Sequence, residues 1–288
     1  MACGEVWNGR YRIERVLGAG GVSRVYQACD LLREQLGEPD PWVAVKVLSD
    51  DLAKAPDASV LLYREFSLTL RLHHPHVVRA LQFDVDTANH RAFIVLELMR
   101  GLTLDRLLRE RSEGLPWGEL REIVVQLLNA LAYLHERGVV HGDLKPSNAM
   151  LSDQGLRLFD FGLSEASGEV STAVPSLDRS RIDAWTPAYA APELLESGQL
   201  TASCDVYAVA CLIYELASGS HPFLRLDALK ARAERLDRAL RMPSSLPPSC
   251  HAALARAMAF DIQERCVDAR QLYRVFLDSP RGSSWQWF

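Results

Sequence analysis

The chain has 288 residues, 32 basic against 37 acidic, a formal charge of −5 and 48% apolar residues. That length suits one large domain or two joined ones, and the balance of apolar and charged residues excludes wholesale disorder. The acidic excess argues against nucleic acid as a partner. The longest apolar run, Val206 to Ala217, contains Glu215 and falls short of the ~20 residues a membrane span needs.

The first hundred residues carry short β-branched runs bounded by Gly, Pro, Asp or Asn, which predict strands over Tyr11 to Leu17, Val22 to Ala28, Trp42 to Leu48, Val77 to Val85 and Ala92 to Leu98. Between the third and fourth, Val60 to Leu72 reads as a helix docked on the sheet. Leu32 to Pro41 reads as an irregular polar link, because Pro39 and Pro41 oppose regular structure. The link Met99-Arg100-Gly101 leads into a helical remainder. Trp117 to Glu136 places Leu120, Ile123, Val124, Leu127, Leu128, Leu131 and Leu134 close to a 3.6-residue period. Asp205 to Ser218 is apolar on nearly all sides and reads as a buried helix, while Ala228 to Leu240, His251 to Ala259 and Val267 to Leu277 read as surface helices. Pro280 to Phe288, with two tryptophans, reads as a tail, loose or docked. The start shows no secretory signal, and six cysteines without a Cys-x-x-Cys pair read as core thiols, so the cytoplasm is the expected compartment.

Four stretches bear chemistry. Gly18-Ala19-Gly20-Gly21, between two predicted strands, lets backbone amides approach phosphates. Lys46 lies inside an apolar strand, where a cation needs a partner, and Glu65 on the next helix could supply one. His141-Gly142-Asp143-Leu144-Lys145-Pro146-Ser147-Asn148 offers a general base and a metal-binding amide on one loop. Asp160, in Asp160-Phe161-Gly162, is a carboxylate suited to Mg²⁺, a hard ion that takes oxygen ligands. His73, His74 and His76 read as packing and turn residues.

In this order, together with Ala191-Pro192-Glu193, these residues resemble the eukaryotic-like (Hanks-type) protein kinase family, in particular its bacterial Ser/Thr branch. The resemblance implies an α+β, two-lobed protein-kinase-like fold over residues 11–278. It has a small antiparallel-sheet N-lobe with one main helix (about 11–98), a hinge (about 97–101) and a larger, mostly helical C-lobe (about 102–278), followed by a tail, 279–288. It implies ATP and Mg²⁺ as cofactors, with Gly18, Ala19, Gly20 and Gly21 over the phosphates and Val25 and Ala44 on the adenine. Glu97 and Met99 would meet the adenine edge at the hinge, with Leu96 as the gatekeeper. Lys46, oriented by Glu65, would hold the phosphates, and Asn148 and Asp160 the metal. Asp143 would be the base, Lys145 would steady the γ-phosphate, and Thr186 would bond both. Arg265 would pair with Glu193. The implied partners are proteins bearing Ser or Thr, with no nucleic acid or membrane. The chain shows no sensor domain or anchor, so regulation is expected to come from partners, tail or loop.

Three positions depart from the family's pattern. Ser23 replaces the third glycine of the loop. Gly142 stands where the family has an arginine that pairs with a loop phosphate, so phosphorylation is not expected to switch this chain through that pair. Leu163 to Trp185 is rich in Ser and Thr (164, 167, 171, 172, 176 and 180), which makes autophosphorylation an expectation, and Trp185 stands where glycine is usual. Two alternatives remain at this stage. His-Gly-Asp followed by Asn also resembles the aminoglycoside and choline phosphotransferases, and a non-catalytic pseudokinase scaffold is the other.

Overall fold

The structure, a computed structural model, describes residues 4–50, 52–54, 57–166 and 186–281. The chain forms two compact units: the first holds the described residues up to His73 and Val78–Arg100, and the second holds His74–Val77 and the described residues from Gly101 onward.

The first unit is a six-stranded antiparallel sheet of order β1-β2-β3-β4-β6-β5, made by β1 (Val6–Trp7), β2 (Tyr11–Ala19), β3 (Ser23–Asp30), β4 (Trp42–Leu48), β5 (Ala80–Asp86) and β6 (Arg91–Glu97). The period-2 alternation of a strand sorts the β4 side chains. Val43, Val45 and Val47 join Trp7, Tyr11, Tyr26 and Phe93 in one apolar layer, and Lys46 falls on the other face. There Leu48 and Ile94 pack against Leu62 of the helix α2 (Ala58–Leu70).

Two predicted elements shift. The link after β3 is not wholly irregular: Asp30 accepts the Leu32 N–H at 3.1 Å and caps a short helix, α1 (Leu31–Gln35), the cap satisfying an orphan amide that the two distant prolines do not affect. The fourth strand starts later than Val77. Val77 makes a parallel bridge with Leu158, and the His76 carbonyl accepts the Leu158 N–H at 2.9 Å, so this stretch belongs to the second unit. His76 Nδ1 meets the Leu156 carbonyl at 2.9 Å and the His74 ring lies 4.7 Å from that of Tyr133, where burial pushes the His74 imidazole down to about 4.

The second unit begins with β7 (Leu102–Thr103) and α3 (Leu104–Glu110), which the sequence reading does not contain. Its axis is α4 (Trp117–Glu136), whose predicted apolar stripe is wholly buried. Then come β8 (Val139–Val140), β9 (Ala149–Ser152), β10 (Gly155–Leu158), β11 (Glu165–Ala166), α5 (Pro192–Ser197) and α6 (Ala202–Ser218). Every α6 residue from Cys204 to Ala217 except Tyr214 is buried. The predicted helix after α6 is broken into α7 (Ala228–Ala233) and a 3₁₀ turn (Leu236–Ala239) by Arg235, whose φ is 55°. Last come α8 (Pro248–Ala257) and α9 (Ala269–Asp278), which bury one side each. As far as Pro280 the chain is docked: Trp117 Nε1 donates to the Pro280 carbonyl at 2.6 Å, and Arg121 donates to the carbonyls of Leu277 (2.5 Å) and Ser279 (3.3 Å), capping α9. Trp285 and Trp287 lie outside the described residues. Among the described residues no helix is long and apolar enough to cross a membrane.

Candidate active site

Each unit assembles its own set of the candidate residues. In the first, the β2–β3 hairpin carries Gly18 and Ala19 paired with Val25 and Arg24, and the Gly20 N–H bonds the Ser23 carbonyl at 2.9 Å. None of Gly18, Gly20 and Gly21 has a positive φ, and a Cβ added at Gly18 or Gly21 would meet nothing within 4 Å. The hairpin itself therefore gives no reason for these glycines. A ligand whose oxygens approach the backbone closely does, which fits a phosphate.

Val25 pairs with Lys46, and Ala44 pairs with Gln27 and Leu96, across the sheet. Lys46 is 4% exposed, and its Nζ donates to Glu65 Oε1 at 2.6 Å. Helix α2 puts Glu65 on the same buried stripe as Leu62 and Leu68, one turn either way, so the packing that seats α2 also aims this carboxylate at the sheet. Glu97 ends β6, its carboxylate taking the Arg79 N–H at 2.9 Å, and half-buried Met99 follows on the link.

In the second unit, two short strand pairs clamp the two catalytic segments. β8 and β9 bracket His141–Asn148, β10 and β11 bracket Phe159–Ser164, and β9 pairs with β10 while β8 pairs with β11. Asp205, buried near the start of α6, accepts the N–H groups of His141 (2.7 Å) and Gly142 (2.9 Å) and meets His135 Nε2 at 2.9 Å. His141 is buried, its Nε2 at 3.2 Å from the Phe159 carbonyl and its ring 5.0 Å from Phe161. The loop is thus pinned from below by a carboxylate and tied sideways to the segment bearing Asp160.

On that frame Asp143, Lys145 and Thr186 close a triangle. Lys145 Nζ donates to Asp143 Oδ2 (2.6 Å) and to Thr186 Oγ1 (2.9 Å), and the threonine hydroxyl donates to Asp143 Oδ1 (3.2 Å). Asn148 spends its amide nitrogen on Asp143, on the carbonyl at 2.9 Å and on Oδ2 at 3.1 Å, which leaves its side-chain oxygen as the atom for a cation. Asp160 has φ 69°, a strained backbone for a non-glycine residue and a common mark of functional sites. Burial raises the Asp143 carboxyl above the usual aspartate value, the nearby Asp160 charge raises it further, and Lys145 opposes both. Two neighbouring carboxylates and an amide oxygen are a donor set that fits Mg²⁺.

The raised carboxyl sets a pH prediction. Asp143 acts as a base only when ionised, so the acid limb of kcat/KM against pH should lie above the ordinary aspartate value of 3.8. Lys145→Ala removes the group that lowers this pKa, so the limb should move to higher pH as kcat falls. A limb that stays in place would detach Lys145 from the titration.

Gly142 has φ 81°, and a Cβ there would lie 2.8 Å from both the Leu163 carbonyl oxygen and Leu200 Cδ2. The arginine of the family's pattern is therefore incompatible with this chain's local packing. Gly142→Ala should cost about 1–3 kcal/mol from the left-handed backbone alone, read as a lowered denaturation midpoint.

Sequence reasoning missed several residues that shape this site. Asp205 and His135 read there only as members of helices, because α6 carries a second carboxylate, Glu215, and nothing local marks Asp205 out. Tyr189, in the segment after Thr186, donates to Glu215, which is also bonded by Arg225. Burial and this partner push the Tyr189 phenol far up. Ser164, one of the candidate phosphorylation sites, is fully buried and donates to the His141 carbonyl at 2.7 Å, which removes it from that set. The other five, and Trp185, lie outside the described residues. Arg265 does meet Glu193, at 2.5 and 3.2 Å.

A base beside a fixed ammonium, with a second carboxylate near, is an arrangement suited to moving a phosphoryl group to a hydroxyl. Residues 11–275 match the protein kinase domain family, to which this chain belongs. It is 34% identical over 267 residues to the serine/threonine-protein kinase PkaA of Streptomyces coelicolor, covering 89% of this chain and 47% of that one. It is 32% identical over 269 residues to PknE of Mycobacterium bovis, covering 92% and 45%. The chain thus spans under half the length of these curated relatives. Among solved structures, a mutant form of the PknI kinase domain of Mycobacterium tuberculosis matches with a TM-score of 0.69 and 27% identity, over 96% of this chain and 98% of that one. The two-lobed kinase fold expected from the sequence is thereby shown.

Proposed function

We propose that this domain transfers the γ-phosphoryl group of ATP to Ser and Thr hydroxyls of protein substrates with Mg²⁺, and that it autophosphorylates. The observation that carries the reading is the Asp143–Lys145–Thr186 triangle: a base held next to a cation by a hydroxyl that contacts both. Asp143 takes the proton of the attacking hydroxyl as its oxygen bonds to phosphorus and the bond to the ADP oxygen breaks. Lys145 offsets the negative charge on the phosphoryl group in transit. Lys46, held by Glu65, engages the ATP phosphates beneath the glycine hairpin, and Glu97 and Met99 offer backbone groups to the adenine. Asn148 and Asp160 supply oxygen ligands to Mg²⁺, which neutralises phosphate charge when bound. A cytoplasmic location, where ATP is supplied, belongs to the same proposal.

The test is transfer from γ-labelled ATP, with and without Mg²⁺, to a casein-like protein and, in parallel, to choline and an aminoglycoside. Label on protein Ser and Thr that disappears with EDTA and returns with Mg²⁺ is the expected result. Label on the small alcohols alone would overturn it, and label on nothing, with ATP bound, would favour the scaffold.

A further inference from the structure

The catalytic residues leave unexplained a strained turn after α6. Leu224 and Arg225 have φ of 52° and 59°, two successive left-handed backbones without a glycine, a conformation that residues with side chains rarely adopt. The strain does not serve burial of the first, since Leu224 is 73% exposed. Buried His221 holds the turn. Its Nδ1 accepts the N–H groups of Phe223 and Arg225, both at 3.2 Å, and burial pushes the imidazole down to about 4, so at neutral pH the ring is uncharged and free to accept them. What the turn achieves is the direction of Arg225. Its guanidinium, on a side chain 62% exposed, bonds the carboxylate of Glu215, whose side chain is 2% exposed. Strain of this kind persists only where the surroundings enforce it, and it gathers at functional sites.

From Glu215 an unbroken line of contacts leads to the base. Tyr189 donates its phenol to the other carboxylate oxygen, and its ring meets the His221 ring edge-on, with centroids 5.1 Å apart. The Tyr189 N–H bonds the Thr186 carbonyl at 2.9 Å, and the Thr186 hydroxyl belongs to the triangle with Asp143 and Lys145. A cavity shared by the catalytic loop and this segment has Gly142, Asp143, Thr186, Tyr189 and Leu200 in its lining, so close packing alone does not fix their spacing. The phenol bond ties the segment to α6, which is buried on nearly all sides. That tie depends on charge. A buried carboxylate without a cation favours its neutral form, and a hydrogen bond to a neutral acceptor is about half as strong as one to an ion.

We infer that Arg225 is a positioning residue for phosphoryl transfer: by compensating the buried Glu215 carboxylate it keeps Tyr189, and with it the segment from Thr186, seated on Asp143 and Lys145. The inference rests on the protein-kinase reading. Its effect falls on kcat, because the contact of Thr186 with the base serves the reaction and not the binding of either substrate.

The test compares the unsubstituted protein with R225A. The variant should lose about ten- to a hundredfold in kcat, the result of a slight misplacement that starts away from the chemistry, with KM unchanged for ATP and for a serine acceptor peptide. Ethylguanidinium ion at millimolar concentration, far below denaturing levels, should restore kcat by taking the place of the lost side chain on Glu215. Urea, similar in shape but uncharged, should not, and R225K should keep most of the activity. Hydrogen exchange reads the position directly: the amides between Thr186 and Ala191 should lose protection in R225A and regain it with ethylguanidinium. If R225A does not fold, R225A/E215Q, which strands no charge, should show the same loss of kcat and no rescue. Full kcat and protection in R225A/E215Q would overturn the inference, since the harm in R225A would then come from the stranded charge alone. So would an unaltered kcat in R225A, a change confined to the KM for the acceptor, or a loss that ethylguanidinium leaves as it is. Protection lost and regained in a protein that transfers no phosphate to Ser or Thr would leave the positioning standing and sink the kinase reading.

Discussion

Asp143→Asn should abolish phosphate transfer while leaving the protein folded and able to bind nucleotide. Its side chain is 9% exposed and sits between the Lys145 ammonium and the Thr186 hydroxyl, with no other carboxylate in that triangle to replace it. An amide is nearly the same shape but cannot accept the substrate proton. General-base assistance contributes about 10²–10⁴-fold, so kcat should fall by that order with the KM for ATP little changed. The stability side has a definite sign. The folded carboxyl titrates above the unfolded value of 3.8, so its contribution favours the folded state fully below 3.8 and is lost as pH rises through the folded value. At neutral pH the ionised carboxylate is therefore a cost that asparagine removes, and the denaturation midpoint should be unchanged or slightly higher. A variant with half the original kcat would show that Asp143 is not the base. A variant that loses both activity and its cooperative melt would make the loss structural, and Asp143→Ser would then be the replacement to measure.

The legible parts of the fold were those in which one element carries its own signal. β4 alternates, so the sequence alone puts Lys46 opposite Val43, Val45 and Val47, and α2 puts Glu65 on its buried stripe; their 2.6 Å contact then follows from packing. The α4 stripe was legible for the same reason. Two-residue strands carry no period, so β7, β8 and β11 left no trace, although β8 and β11 hold the catalytic loop in place. Asp205 was invisible as a site residue because its role is to accept amides more than 60 residues earlier in the chain. The Tyr189–Glu215–Arg225 cluster likewise joins three separate segments. At Gly142 the departure from the family's pattern was plain in the sequence. That Leu163 and Leu200 close over the position, leaving no room for a side chain, needed coordinates.

The pair Arg265–Glu193 should show the largest effect on stability. The Arg265 side chain is fully buried and makes bonds on every side: to Glu193 at 2.5 and 3.2 Å, to the Ala259 carbonyl at 2.8 and 3.2 Å, and to the Ser203 carbonyl and hydroxyl at 3.1 and 3.2 Å. Its guanidinium carbon also lies 5.1 Å from the Tyr207 ring centroid. Arg265→Leu leaves the Glu193 carboxylate, whose side chain is 17% exposed, with the weak Cys204 thiol donor at 3.5 Å, and takes the guanidinium from the Ala259 carbonyl; breaking a largely buried pair costs about 3–5 kcal/mol. Set against a typical total of roughly 5–15 kcal/mol, this is enough to leave the domain marginal, with a denaturation midpoint lower by about 6–20 °C. Glu193→Gln should cost less, since the amide still accepts from the guanidinium and Arg265 keeps its other acceptors. The double variant should cost less than the two singles added, with a coupling of at least about 1 kcal/mol; additive costs would mean the pair does not act as one. Because Glu193 stands in the first turn of α5, directly after the segment from Thr186 to Ala191, damage here should also reach the triangle. Arg265→Leu should lose kcat at temperatures below its melt, through Thr186 slipping off Asp143, whereas Asp143→Asn loses kcat with the segment in place. Protection of the Thr186–Ala191 amides from hydrogen exchange distinguishes the two, lost in the first variant and kept in the second.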